Sequence, residues 1–134
     1  MAHGTIAFDT LTTSDQVNTG TEKSIDTSYI YNGVAKSWCN YASASSFTIN
    51  DTFNVTSVTD GGAGAGQPQF TNNMANANYS HTHGDYTSDR NDVQVSGSAG
   101  NAPAAGTIRI QCVQTGNSPD DADHACITIH GDLA

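Results

Sequence analysis

Basic residues are scarce in this chain: four Lys and Arg stand against 13 Asp and Glu, for a formal net charge of −9 at pH 7. Phosphate backbones are held by clustered cations, and Lys23, Lys36, Arg90 and Arg109 are scattered. Direct nucleic-acid binding is therefore not expected, nor is attraction to an anionic membrane. Cysteine is also scarce. Cys39, Cys112 and Cys126 are odd in number and contain no CxxC pair, which argues against a disulfide framework or a zinc site. Each lies in an apolar or alternating run, so all three read as buried thiols. Long apolar runs are missing, and none approaches transmembrane length. The first residues, MAHGTIAFDTLTTS, have neither a charged n-region nor an apolar h-region. Synthesis in a cytoplasm without an export signal is the expectation. The hydrophobic fraction is 36%, against the usual ~45–50%. A chain of 134 residues fits one domain, and one with so little apolar material gains from neighbours that complete its core.

What is present in quantity is Asn, Thr, Ser, Gly and Ala, which suits turns and twisted strands better than helices. Residues 1–28 are Thr-, Ser- and Asp-rich with widely spaced Ile6, Phe8, Leu11, Val17 and Ile25. This segment reads as an extended N-terminal arm that takes its order from a neighbour or from the domain that follows. From Tyr29 onward the pattern has period two, and no stretch keeps helical periodicity. Asn32-Gly33 is a turn signal. The next strand sets Val34, Lys36 and Trp38 against Ala35, Ser37, Cys39 and Tyr41. Phe47 and Ile49 share one face, as do Phe53 and Val55, before a slip at Ser57-Val58 that suggests a bulge. Asp60 to Gly66 is a glycine-rich turn, and Pro68 marks an edge strand. Further strands carry Tyr79, His81 and His83; Val93 and Val95; Ile108, Ile110 and Cys112; and Ile127 and Ile129. Seven or eight short strands separated by turns predict an all-β domain over residues 29–134, an antiparallel β-sandwich or jelly-roll-like barrel.

Candidate chemistry is thin. His81 and His83 alternate onto one strand face with Asp85, a set that could bind zinc or iron. The plainer reading is polar strand residues beside a loop, and no metal or other cofactor is expected. Asp120, Asp121, Asp123 and His124 form an acidic loop without the EF-hand spacing for calcium. Residues 60–66 lack the Lys-Ser/Thr and the helix of a phosphate loop. No GxSxG elbow exists, and the pair Cys126 and His124 is a weak candidate for nucleophilic catalysis. The chain reads as a non-enzyme. Trp38 and the tyrosines could form a sugar-stacking platform, although a core position for Trp38 is the simpler expectation. The triplets at Asn50, Asn54 and Asn78 match the N-glycosylation pattern by chance in so Asn- and Thr-rich a chain.

One ordered set of residues carries a resemblance: Asn32, Gly33, Ala35, Lys36 and Trp38; Phe53, Asn54, Val55, Ser57 and Val58; Asp60 and Gly61; Phe70, Thr71 and Met74; Asn78 and Tyr79. With the opening TIAFDTLTTS and the closing ITIHGDL, this resembles a module of bacteriophage virion structural proteins, tail-fibre and capsid-decoration proteins of marine phages among them. It covers about 100 residues. Departures fall at residues 42–45, at Cys39, at Gln67-Pro68-Gln69 and across residues 81–92. The resemblance implies a virion structural protein made in the host bacterial cytoplasm. The length leaves no room for a fibre stalk, so the expected role is a capsid decoration (cement) or short head-spike protein. It would bind the major capsid protein or other virion proteins as a homotrimer on the capsid surface. Ile6, Phe8 and Leu11 are the candidate docking residues. The alternative is a tail-fibre-type receptor- or glycan-binding tip, with Tyr86, Asp89, Arg90, Asp120 and Asp121 on its contact loops.

Overall fold

The structure, a computed structural model, describes residues 7–12, 23–44, 47–86, 91–95, 102–114 and 118–134, with the backbone alone at 86, 91–95 and 114. The chain divides into two compact units, Met1–Val34 and Ala35–Ala134.

In the first unit, strand β1 (Thr10–Thr12) pairs antiparallel with β2 (Ser24–Asp26). The Thr12 and Ser24 hydroxyls bond across the ribbon at 2.7 Å. Helix α1 (Thr27–Gly33) follows directly. Asp26 is its N-cap: the carboxylate accepts the Ser28 N–H at 2.7 Å, satisfying an orphan donor of the first turn. These bonds to Ser28 hold the Asp26 carboxyl below its ordinary pKa. The described residues of the first unit thus form a ribbon and a short helix, and the unit runs to Val34 where an extended arm over residues 1–28 is expected. The alternation expected from Tyr29 gives way to helix because the Asp26 cap fixes its start, and seven residues are too few for a 3.6 period to show.

The second unit is an all-β sandwich. One sheet has the order β4 (Thr48–Phe53), β3 (Ser37–Ala42), β11 (His124–His130), β7 (Ser80–Tyr86), antiparallel throughout. The other holds β5 (Val55–Asp60), β6 (Ala65–Phe70), β8 (Asn91–Val95), β9 (Ile110–Gln114) and the two-residue β10 (Ser118–Pro119). Strand β5 pairs with β6. Strand β9 is shared: Ile110 and Gln111 pair with β6, Val113 and Gln114 with β10, and β8 runs beside the whole strand. No helix among the described residues is long and apolar enough to cross a membrane.

The core follows the period-two pattern. In β3 the buried residues are Ser37, Cys39 and Tyr41, and in β11 they are Ala125, Ile127 and Ile129. Ile108, Ile110 and Cys112 supply the facing sheet, with Phe70, Met74 and Tyr79 closing one side. Tyr41 stacks on Phe47 at 5.9 Å, and Phe70 meets Tyr79 edge-on at the same separation.

Three strand expectations change. Phe53 and Val55 do not share a face, because β4 ends at Phe53 and β5 begins at Val55 in the other sheet. Asn54 makes the break at φ 58, a left-handed conformation that asparagine tolerates better than most residues. Ile49, expected on one face with Phe47, is exposed, whereas Phe47 packs against the core. Pro68 lies in an interior strand, since β6 pairs on both sides. Its ladder with β9 covers only Ala65 and Gly66. At Pro68 the link is made instead by the Thr107 hydroxyl, which donates to the Pro68 carbonyl at 2.6 Å. The expected glycine-rich turn is the β5–β6 hairpin loop, held by Gly61 N–H to Ala65 O at 2.8 Å and by the Asp60 carboxylate accepting from Gly62 N–H at 2.8 Å.

Candidate functional site

Alternation leaves one face of the four-stranded sheet for the core and turns the other outward. Trp38 and Asn40 of β3 therefore point away from Cys39 and Tyr41. Register then builds rows across the outer face, because residues opposite one another share a face. Phe53, Trp38 and Thr128 form one row; Asp51, Asn40 and Cys126 form the next. His124 continues the line along β11. A register shift between Asn40 and Tyr41 adds Asn50 beside Asp51.

These residues line a groove of about 500 Å³, open to solvent, whose sides come from Trp38, Asn40, Asn50, Asp51, His124, Cys126 and Thr128. Its volume is within the range of small-ligand sites, ~300–1,000 Å³. Trp38, expected in the core, is half-buried in its wall. Phe53 beside it is 53% exposed. Asn50 donates from Nδ2 to Asn40 Oδ1 at 2.7 Å. That bond engages one donor and one acceptor, and the Asn40 Nδ2 and the Asn50 Oδ1 are not part of it. Asp51 Oδ1 accepts the Thr52 N–H at 2.8 Å. Aromatic, amide, carboxylate, imidazole and hydroxyl groups thus share one surface.

The histidine pair lies elsewhere. His81 and His83 sit opposite Ile129 and Ile127, so they project from edge strand β7 on the core side of the sheet. Their rings stack at 5.6 Å and 20°. Partial burial, then the neighbouring His83, lowers the His81 pKa. Among the described residues, no group of three or more His, Cys, Asp or Glu side chains is gathered as a metal site would need.

The acidic loop is tied into the fold. The Asp120 N–H donates to Cys112 O at 3.1 Å, and the Asp121 carboxylate accepts the Gly64 N–H at 2.7 Å. Of the expected contact residues, Asp89 and Arg90 lie outside the described residues, and Tyr86 is described by its backbone in β7 only. Of the expected docking residues, Ile6 also lies outside them; Phe8 and Leu11 belong to the first unit and are 48% and 50% exposed.

The cysteines divide by face. Cys39 and Cys112 are buried, and burial pushes their thiols up to about 11 and about 12. Cys126, expected to be buried with them, alternates to the outer face, is exposed in the groove, and donates from Sγ to Gly84 O at 3.3 Å. Since the thiolate is the nucleophile, native protein treated with iodoacetamide near neutral pH should take one label, at Cys126. Cys39 and Cys112 should react only after denaturation. Peptide mass spectrometry checks this, and prompt native labelling of Cys39 would contradict the buried assignment.

Sequence reasoning singled out Trp38 as a platform but missed Asn40, Asn50, Asp51 and Thr128. The signal was present as alternation from Trp38 to Asn40 and from Cys126 to Thr128; which face was outward was not. No family model, curated protein or solved structure matches the chain.

Proposed function

We propose that this chain is a structural subunit of a bacteriophage particle, a capsid decoration or short head-spike protein that binds the capsid shell as a trimer. The carrying observation is the first unit. Six of the nine exposed large hydrophobic residues among the described residues fall there: Phe8, Leu11, Ile25, Tyr29, Tyr31 and Val34. None of its described residues is buried. A two-stranded ribbon and a seven-residue helix, with none of their described residues buried, are not stable alone. A partner that covers those side chains supplies the missing free energy, and the resemblance to phage virion modules supplies the partner's class.

The mechanism is linkage. A protein that binds across a seam between capsid subunits adds interface free energy only in the assembled shell, and so shifts assembly by mass action. Threefold placement turns a weak single contact into an avid one. No catalytic step and no cofactor enter, and the acidic surface keeps the subunit off packaged DNA and off membranes.

The test is occupancy on particles. Burying a Phe and a Leu is worth ~1.5–3 kcal/mol each. The double variant Phe8→Ser/Leu11→Ser should therefore weaken attachment by roughly a hundredfold or more, while the melting transition of the sandwich stays in place. Deleting residues 2–12 should abolish attachment. Unchanged occupancy for both variants would sink the reading.

A further inference from the structure

We propose that the outer-face groove of the four-stranded sheet is a binding site for a neutral saccharide, one or two pyranose rings long. It is built from residues of the sandwich alone and does not depend on the docking reading.

The composition of the wall selects the ligand. A pyranose presents a patch of C–H bonds on one face and hydroxyls around its rim. The negative π-face of an indole suits such a patch. Trp38 is half-buried in the groove, with Phe53 opposite it in the same cross-strand row. Hydroxyls both donate and accept, so they need partners of both kinds at short spacing. Asn40 and Asn50 are locked to each other by a 2.7 Å bond, and this orients one amide to offer its NH2 and the other its carbonyl. Asp51 and Thr128 extend the set on either side.

Other ligand classes fit worse. The wall contains a carboxylate and no Lys or Arg, so a phosphate, sulfate or uronate would meet repulsion from Asp51 and find no permanently charged cation. A lipid chain would bury Asn40, Asn50 and Asp51 without hydrogen bonds, which costs free energy. A metal ion lacks a third ligand among the described residues.

The chain carries its own reporter, because Trp38 is the only tryptophan. The full-length protein is titrated with maltose, cellobiose, lactose and chitobiose, and in parallel with a sugar phosphate and a uronic acid. The expected result is a saturable change in tryptophan emission with at least one neutral disaccharide at millimolar concentration or below, with no comparable response to the anionic sugars. The saturating sugar should slow alkylation of Cys126, which shares the wall. Asn40→Ala should weaken binding tenfold or more at an unchanged melting temperature, and Asp51→Asn, which keeps the shape, several-fold. Neither should alter occupancy on particles. The proposal is overturned if no neutral sugar gives a saturable change and Cys126 is unprotected, if the anionic sugars bind tighter, or if both variants bind like the parent.

Discussion

Replacing Gly64 by Ala should lower the stability of the sandwich by about 3–5 kcal/mol, at the upper end of what single substitutions do. Two costs combine. Gly64 has φ +68, a left-handed conformation that costs a residue with a Cβ roughly 1–2 kcal/mol. The added methyl would also be trapped: it would lie 2.7 Å from the Asp120 N and 2.8 Å from the Asp120 O, and against the Cys112 carbonyl. All three are backbone atoms, so no rotamer change relieves the overlap. The same glycine accepts the Cys112 N–H at 2.6 Å and donates to the Asp121 carboxylate at 2.7 Å. It is therefore the point where β6, β9 and the segment after β10 close on one another. The control is Gly62→Ala. Gly62 also has positive φ, +99, but a Cβ there meets nothing within 4 Å. It should lose only the conformational part, about 1–2 kcal/mol. With total stabilities of about 5–15 kcal/mol, the Gly64 variant should melt far lower, read by circular dichroism. Equal melting of the two variants would show that the junction is not tight.

Where the sequence was legible, it was so because side chains alternate around a buried strand. Cys39 and Tyr41, Ile108 and Ile110, and Ile127 and Ile129 are all buried as their spacing predicts. Period two does not say which of two mixed faces is the core. In β3 one face offers Ser37, Cys39 and Tyr41 and the other Trp38 and Asn40; a lone tryptophan fits either. Only pairing with Ala125, Ile127 and Ile129 in β11 turns Cys39 and Tyr41 inward and leaves Trp38 in the groove. For the same reason the groove could not be read ahead of the fold. Its residues come from 38–40, 50–51 and 124–128 and meet only through strand order. The helix escaped notice because its signal is a single cap, Asp26.

The break at Asn54 was hidden by the same pattern that reveals strands, since Phe53-Asn54-Val55 continues an alternation, and substitution there should separate its two causes. The Asn54 Nδ2 donates to the Lys36 and Asn72 carbonyls, both at 3.0 Å, and its Oδ1 accepts the Asn72 N–H at 2.7 Å. One side chain thus ties the segment before β3 to the segment after β6 at the point where the chain passes between sheets. Asn54→Gly keeps the left-handed backbone and removes these bonds. At a net ~0.5–1.5 kcal/mol for each bond, partly offset by water at this half-buried position, a loss of about 2 kcal/mol is expected. Asn54→Ala should add the positive-φ cost of about 1–2 kcal/mol, for a total near 3–4 kcal/mol. Asn54→Asp keeps the acceptor for Asn72 N–H but sets a carboxylate against two carbonyls, so it should fall no higher than the Gly variant. Urea unfolding of the full chain gives the order directly. A neutral Gly variant would mean that the side-chain bonds contribute nothing. Equal losses for Gly and Ala would mean that the left-handed conformation does not hold the crossing. The expected difference between them measures how far the two sheets owe their connection to the backbone of a single asparagine.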